Sequence, residues 1–272
     1  MLGVLDYQLG RFDDSFQLAR HNLEFSRRGA GELYWAAEPL IAVGEIDAGE
    51  HWMRAAIAAE PHAGKRRLME AEIARYRGDF KRCRELAGSL DPDLVSGGSG
   101  WANDFARTCA EQQHDWAGAL ILLQHELQHY AGGTGDISLH DPLLEQAVLL
   151  RQLGRRAEAA PAIARARQIE QAALDSGDEY FGHSLRMAAI LRMEGDSDGA
   201  YRMLDGAAAR GLTSNPRTDG SYEFLPFQGD ARLAAWQKAS RVKVAGMRQR
   251  IQMMLKQAGY LPTAFEAATR GL

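Results

Sequence analysis

Apolar residues recur at the three- and four-residue spacing of amphipathic helices, and short polar breaks separate these helical patterns. A glycine or a histidine stands at corresponding points in the breaks. These turn positions are Gly10, Gly44, Gly78, His114, Gly154 and Gly195. They follow one another at intervals of 34, 34, 36, 40 and 41 residues, which indicates an internal repeat. Because glycine tolerates positive φ, each break predicts a tight turn between two helices.

Small residues occupy matching places on both sides of these turns. Five positions after the turn the residue is Ser15, Gly49, Cys83, Ala119, Ala159 or Ala200. Seven positions before it the residue is Gly3, Ala37, Ala71, Arg107, Ala147 or Ala188, and twelve after it Asn22, Ala56, Leu90, Glu126, Ala166 or Ala207. Small side chains there allow two antiparallel helices to approach closely. We therefore expect antiparallel helix pairs and no sheet of three or more strands.

This pattern resembles the tetratricopeptide repeat (TPR), a helix–turn–helix unit with small residues at three places and a proline that ends the second helix. The stretch "AAIAAEP" matches that second helix and its stop at Pro61, and "SLDPD" supplies Pro92 to the third repeat. The resemblance covers about residues 1–212. It implies an all-α fold, a right-handed superhelical solenoid of about six TPR-like hairpins whose concave groove binds a partner.

The remaining residues, 213–272, predict a loop followed by C-terminal capping helices packed on the solenoid. The loop is marked by proline, glycine, asparagine and aspartate, and apolar residues then return at helical spacing. The stretch "FLPFQGDARLAAW" resembles the tail after TPR arrays in bacterial winged-helix regulators and cyclase-like signalling proteins. That resemblance implies the sensor or interaction part of a bacterial regulatory protein, whose DNA-binding or cyclase part would lie outside this chain.

Composition and charge narrow the function classes. The chain has 272 residues, of which 46% are hydrophobic and 25% charged, and its net charge is −4. No run of lysine and arginine is long enough for a nucleic-acid footprint, and no apolar run is long enough to span a membrane. The N-terminus has no signal-peptide pattern. Cys83 and Cys109 lack metal-ligand spacing, so we expect reduced core cysteines in a cytoplasmic protein that binds no cofactor.

One stretch carries a motif of catalysis. "HELQH", residues 125–129, is the HExxH pattern of zinc peptidases. On a helix, His125 and His129 lie one turn apart on the same face and could share a zinc ion, while Glu126 would act as the general base. Gly132 stands where one zinc-peptidase clan has its turn glycine.

Other features of the sequence argue against a zinc peptidase. A catalytic zinc needs a third protein ligand, and the position of that clan's third histidine holds Gly135, followed by Asp136. His140 and Glu145 are further candidate ligands without a recognisable spacing. The motif also falls in phase with the repeat, on the second helix of the fourth hairpin. We therefore interpret "HELQH" as a helix that happens to contain the motif.

The fourth repeat departs from the small-residue pattern at two places. Arg107 and Glu126 stand where the other repeats mostly carry small residues on facing helices. An ion pair between them would explain both departures, because a single buried charge would be costly.

The TPR resemblance assigns groove positions on the first helix of each hairpin. The implied partner-binding residues are Tyr34, Glu38, Glu72, Arg75, Tyr76, Trp101, Asp104, Arg151 and Arg192, and the same mapping adds Tyr7 and Glu111. Aromatic and arginine side chains are common anchors at interfaces. The Lys/Asn/Arg set of chaperone-binding TPR domains is absent, and three arginines could instead hold an acidic peptide.

We therefore expect a non-enzymatic TPR scaffold that binds a protein or peptide, and the alternative is a zinc-dependent peptidase that uses residues 125–129.

Overall fold

The computed structural model describes residues 2–25, 29–89, 100–130, 142–216 and 218–257. Within these ranges the chain is helical and contains no strand, which confirms the predicted all-α class. The helices are α1 (Leu2–Gln8), α2 (Phe12–Phe25), α3 (Ala30–Ala42), α4 (Ile46–Ala59), α5 (Ala63–Tyr76), α6 (Phe80–Ala87), α7 (Gly100–Gln112), α8 (Trp116–Tyr130), α9 (Pro142–Gln152), α10 (Arg156–Asp175), α11 (Phe181–Glu194), α12 (Ser197–Ala209) and α13 (Ala231–Gln257). A short 3₁₀ helix (Tyr222–Phe227) precedes α13.

The six predicted turns share one backbone geometry, which confirms their positions. The five glycines have φ between 68° and 95°, and His114 adopts the same left-handed region at 58°. In every case the turn residue's amide donates to the carbonyl three residues earlier. The next amide, for example that of Asp115, donates to the carbonyl five residues before itself, here Ala110. This pair of bonds is the Schellman motif, which satisfies carbonyls at the end of the first helix.

Close helix packing explains the small residues. Among the positions five residues after the turn, Cys83, Ala119, Ala159 and Ala200 are fully buried. At Gly49 even one added carbon would collide with the side chain of Ile41 on the preceding helix. The small side chains therefore set how closely the two helices of a hairpin approach.

The chain divides into two compact units. The first unit comprises Met1–Met69, Thr213–Asp219 and Ala234–Leu272, so the C-terminal segment belongs with the first hairpins. In this unit the side chains of Arg248 and Gln252 on α13 donate to the Glu45 carboxylate, and Arg250 pairs with Asp13.

The second unit comprises Glu70–Leu212 and Gly220–Leu233. From α6 to α12 each helix packs against the next along the chain, and the 3₁₀ helix packs on α9 and α11. The residues after 212 thus contribute to both units.

The cysteines correct one prediction. Cys83 on α6 and Cys109 on α7 form a disulfide, and their Cα atoms lie 6.2 Å apart. They belong to a buried cluster that joins α5, α6 and α7. Two buried positions of successive helices face each other here, which the spacing of the cysteines along the chain does not reveal. The expectation of a cytoplasmic location rested partly on reduced cysteines, and the disulfide removes that reason. In the described part of the chain, no helix is both long and apolar enough to cross a membrane.

Candidate functional site

Two predicted groove residues lie on α3 in the first unit. Glu38 is completely buried, and one of its carboxylate oxygens accepts a hydrogen bond from the Tyr7 hydroxyl at 3.1 Å. Tyr34 is half-buried and contacts the ring of Trp35 edge-on, with 5.4 Å between ring centroids. Trp35, which the sequence mapping did not select, is 38% exposed. Of these residues the two aromatic rings are the ones a partner could reach.

Three more predicted groove residues lie together at the end of α5 in the second unit. The Glu72 carboxylate is buried and accepts hydrogen bonds from the Tyr76 hydroxyl at 3.1 Å and from Arg75 at 3.3 Å. The Arg75 guanidinium lies 4.5 Å from the Tyr76 ring centroid and 5.3 Å from that of Phe105. These contacts hold the guanidinium in one place, with part of the side chain still open to solvent.

A buried charged cluster connects α7 with α9. Arg107 is 1% exposed, and its guanidinium pairs with the Glu145 carboxylate and, at 2.9 Å, with Asp104. Glu111 lies one turn further along α7 and is 4% exposed, while Glu145 is 2% exposed. Asp104 is partly open to solvent. The predicted groove residues Asp104 and Glu111 are therefore part of an internal network.

The two glutamates of this cluster act directly on each other. Burial raises the pKa of Glu111 well above its usual value, and the charge of Glu145 and a hydrogen bond to it raise that pKa further. Arg107 opposes these effects by favouring the ionised form. One oxygen of Glu111 and one of Glu145 have no hydrogen-bond partner among the described residues.

Arg107 was expected to pair with Glu126. The structure shows the carboxylates of Glu145 and Asp104 on Arg107, and the side chain of Glu126 lies outside the described residues. The repeat pattern relates positions within one hairpin, whereas Glu145 belongs to the next hairpin. A pairing with Glu126 stays a prediction.

The last two predicted arginines hold helix ends. Arg151 donates to the main-chain carbonyl of Met193, near the end of α11, at 2.7 Å. Arg192 pairs with Asp230 at 3.1 Å and donates to the hydroxyl of Ser197. Both arginines remain half-exposed. The side chain of Trp101, the remaining groove residue, lies outside the described residues.

Sequence reasoning missed a second buried network, between α10 and α11. The Glu170 carboxylate is buried and accepts a hydrogen bond from Arg186 at 2.5 Å. The His183 ring lies between two carboxylates, with Nδ1 2.7 Å from Glu170 and Nε2 3.3 Å from Asp178. The sequence does contain a glutamate on the buried face of α10 and an arginine on α11. The repeat pattern concerns only turn positions and small residues, so it gave no reason to pair these two charges.

A cavity of about 420 Å³ opens between α6, α7 and α8, on the side formed by second helices. Ala106, Leu122 and Ile121 line it, and Ile121 is 56% exposed. Arg84 at its edge pairs with Asp115. The residues that line this cavity include none of the predicted groove residues.

The motif "HELQH" lies on α8, as predicted. His125 is exposed, and the side chains of Glu126 and His129 lie outside the described residues. In the part of the chain that the structure describes, no three His, Cys, Asp or Glu side chains are placed to hold a metal ion. Glu145, considered above as a third ligand, is buried against Arg107, while Gly135, Asp136 and His140 lie outside the described residues.

Comparisons with known proteins name no relative: no family model matches the chain, and no curated protein matches it.

Proposed function

We propose that this chain is a non-enzymatic scaffold of TPR-like hairpins that binds an acidic peptide or protein segment on its first helices. The observation that carries the proposal is the coincidence of six left-handed turns with the phased small residues of the repeat. Repeats of this kind stack their hairpins and bring residues that are distant in sequence to one face. In this reading the chain is the interaction or sensor part of a regulatory protein.

The second unit supplies the binding groups, Arg75, Arg151 and Arg192, each on the first helix of a hairpin and each partly accessible. A guanidinium has five N–H donors, and the Met193 carbonyl engages only one nitrogen of Arg151. The remaining donors can meet a carboxylate in two-pronged fashion.

Internal contacts prepare Arg75 and Arg151 for binding. The Glu72 carboxylate and the Tyr76 ring restrain Arg75, and the Met193 carbonyl restrains Arg151. A side chain that is already ordered loses less conformational entropy when a ligand arrives. The internal contacts of these two arginines therefore favour partner binding as well as stabilising the fold.

A selection from a random peptide library on the immobilised protein would test the proposal. We expect enrichment of acidic peptides whose affinity, measured by fluorescence polarisation, falls as salt rises. Arg151→Gln should weaken them at least tenfold, about 1.4 kcal/mol. Glutamine keeps a donor for the Met193 carbonyl but removes the charge and the fork. Thermal melting of the variant checks that the fold is intact.

Two control variants separate the groove from other surfaces. Arg202→Gln removes an exposed arginine from the second helix α12 and should leave affinity unchanged. Ile121→Ser alters the cavity between α6 and α8 and should do the same. If Ile121→Ser weakens the peptides more than Arg151→Gln, the partner docks in the cavity and the groove assignment is wrong. Enrichment of peptides without acidic residues would also contradict the proposal.

The alternative of a zinc peptidase is tested on the same protein. Metal analysis after purification without chelator would find about one zinc per chain if residues 125–129 form a catalytic site.

A further inference from the structure

The cluster between α7 and α9 contains more carboxyl groups than cations. Asp104, Glu111 and Glu145 surround one guanidinium, that of Arg107. Asp104 is partly exposed and can be charged at little cost, but Glu111 and Glu145 are almost fully buried. Two carboxylates that are buried side by side cannot both ionise cheaply, since each disfavours the charge of the other.

The geometry shows how the two glutamates divide their roles. One oxygen of Glu145 accepts a hydrogen bond from the Arg107 guanidinium. Among the described residues Glu111 forms no ion pair, and one of its buried oxygens has no hydrogen-bond partner. A proton on Glu111 can be donated to Glu145, whose second oxygen is also without a partner there.

We propose that the Glu111–Glu145 carboxyl pair is a proton-binding site that holds α7 against α9, and that loss of its proton as pH rises loosens this helix contact.

The groups around the pair support this assignment. On α7 the neighbouring charges are Asp104 and Arg107. The nearby elements bring charges that have partners of their own: α6 brings Arg84, which pairs with Asp115 at the start of α8, and α5 brings Arg75, which pairs with Glu72.

Two glutamates complete the surroundings. The 3₁₀ helix packed on α9 brings Glu223, and the side chain of Glu126 on α8 lies outside the described residues. Arg107 is the cation that acts on Glu111 most strongly, and Glu145 already uses it.

The direction of the pH effect follows from the raised pKa of Glu111. The folded state binds this proton more tightly than the unfolded chain does. The stabilising effect is therefore complete below the unfolded pKa and is lost as pH rises through the folded pKa. The contact between α7 and α9 should weaken as pH rises, opposite to the loss on acidification expected of a salt-bridged carboxylate.

Carbon-13 NMR of protein labelled at the glutamate carboxyl carbons measures the protonation of Glu111 directly. The Glu111 resonance, identified by its loss in Glu111→Gln, should titrate well above the pKa of a free glutamate. Glu145→Gln should move that midpoint down, because the like-charged neighbour is gone. Glu85→Gln changes an exposed glutamate of α6 and should leave the midpoint unchanged.

Hydrogen exchange with mass spectrometry tests the mechanical consequence. After correction for intrinsic exchange, peptides from α7 and α9 should lose at least tenfold protection as pH rises through the Glu111 midpoint found by NMR, while peptides from α12 keep theirs. In Glu111→Gln, which mimics the protonated form, the loss should disappear.

Either of two results would overturn the proposal: a Glu111 midpoint equal to that of a free glutamate, or the same pH-dependent loss of protection in Glu111→Gln as in the wild type. If Glu111→Gln does not fold, the Glu145→Gln titration and the wild-type exchange data still decide.

Discussion

Replacing Glu145 with alanine tests the ion pair on which the α7–α9 cluster depends. Removing one partner of a buried pair costs ~3–5 kcal/mol, because the remaining charge stays buried. Two features indicate that Glu145→Ala lies near the lower end of this range, with a loss of ~3 kcal/mol in the free energy of unfolding. Asp104 still holds Arg107 at 2.9 Å. Glu111, relieved of its like-charged neighbour, can ionise and take the guanidinium as its partner.

Replacing Arg107 should cost more, towards ~5 kcal/mol, because it leaves two buried carboxyl groups without a cation. The double variant, Arg107→Ala with Glu145→Ala, should be no less stable than Arg107→Ala alone. It removes both charges and restores a small residue at a position where most other repeats have one. Arg107→Ala should therefore be less stable than Glu145→Ala, because carboxyl groups outnumber cations in this cluster.

Urea unfolding followed by far-UV circular dichroism measures these free energies, and a loss of ~3 kcal/mol corresponds to a fall of roughly 6–12 °C in melting temperature. Glu158→Ala breaks an exposed pair with Arg155 and should leave the free energy of unfolding almost unchanged, because exposed ion pairs are screened by solvent. Glu126→Ala tests the partner predicted from sequence. A cost for Glu145→Ala no larger than that of Glu158→Ala would refute the reasoning, and a larger cost for Glu126→Ala would identify Glu126 as the main partner.

Three further predictions concern other parts of the chain. Cys83→Ser opens a disulfide that spans 26 residues and should cost about 3.5 kcal/mol, and reductant should then no longer lower the melting temperature. His114→Gly relieves a left-handed backbone that costs a side-chain-bearing residue about 1–2 kcal/mol, so a small gain in stability is expected; a clear loss would mean that the ring contact with Trp116 outweighs the strain. His125→Ala and His129→Ala should leave peptide binding unchanged. A zinc chelator should not shift the melting temperature of the wild-type protein. A chelator-induced shift that disappears in His125→Ala would favour the peptidase.

The helical hairpins could be predicted from sequence because their causes are local. Positive φ at Gly44, for example, is favourable only without a side chain, and small residues such as Ala119 mark where two helices approach closely. His114 was found by phase alone, since its residue type does not indicate a left-handed turn. Each signal lies within about 20 residues of the others, so the spacing in the sequence preserves it.

The candidate site could be predicted only in part. The mapping selected Arg75, Arg151 and Arg192 correctly as first-helix residues, but it did not foresee their internal partners. Those partners include a main-chain carbonyl 42 residues away, which has no sequence signature. Their role in partner binding stays a prediction.

By itself, the sequence determined the all-helical class, the positions of six turns and the small residues where helices approach, because backbone conformation and close packing act through neighbouring residues. Only the tertiary structure decided that Cys83 faces Cys109, that Arg107 pairs with Glu145, and that Glu111 is buried beside a second carboxyl group. Each of these contacts joins helices of different hairpins. The side chains that meet there are set by the rotation of whole helices and the distance between them. The spacing of residues along the chain does not determine either quantity.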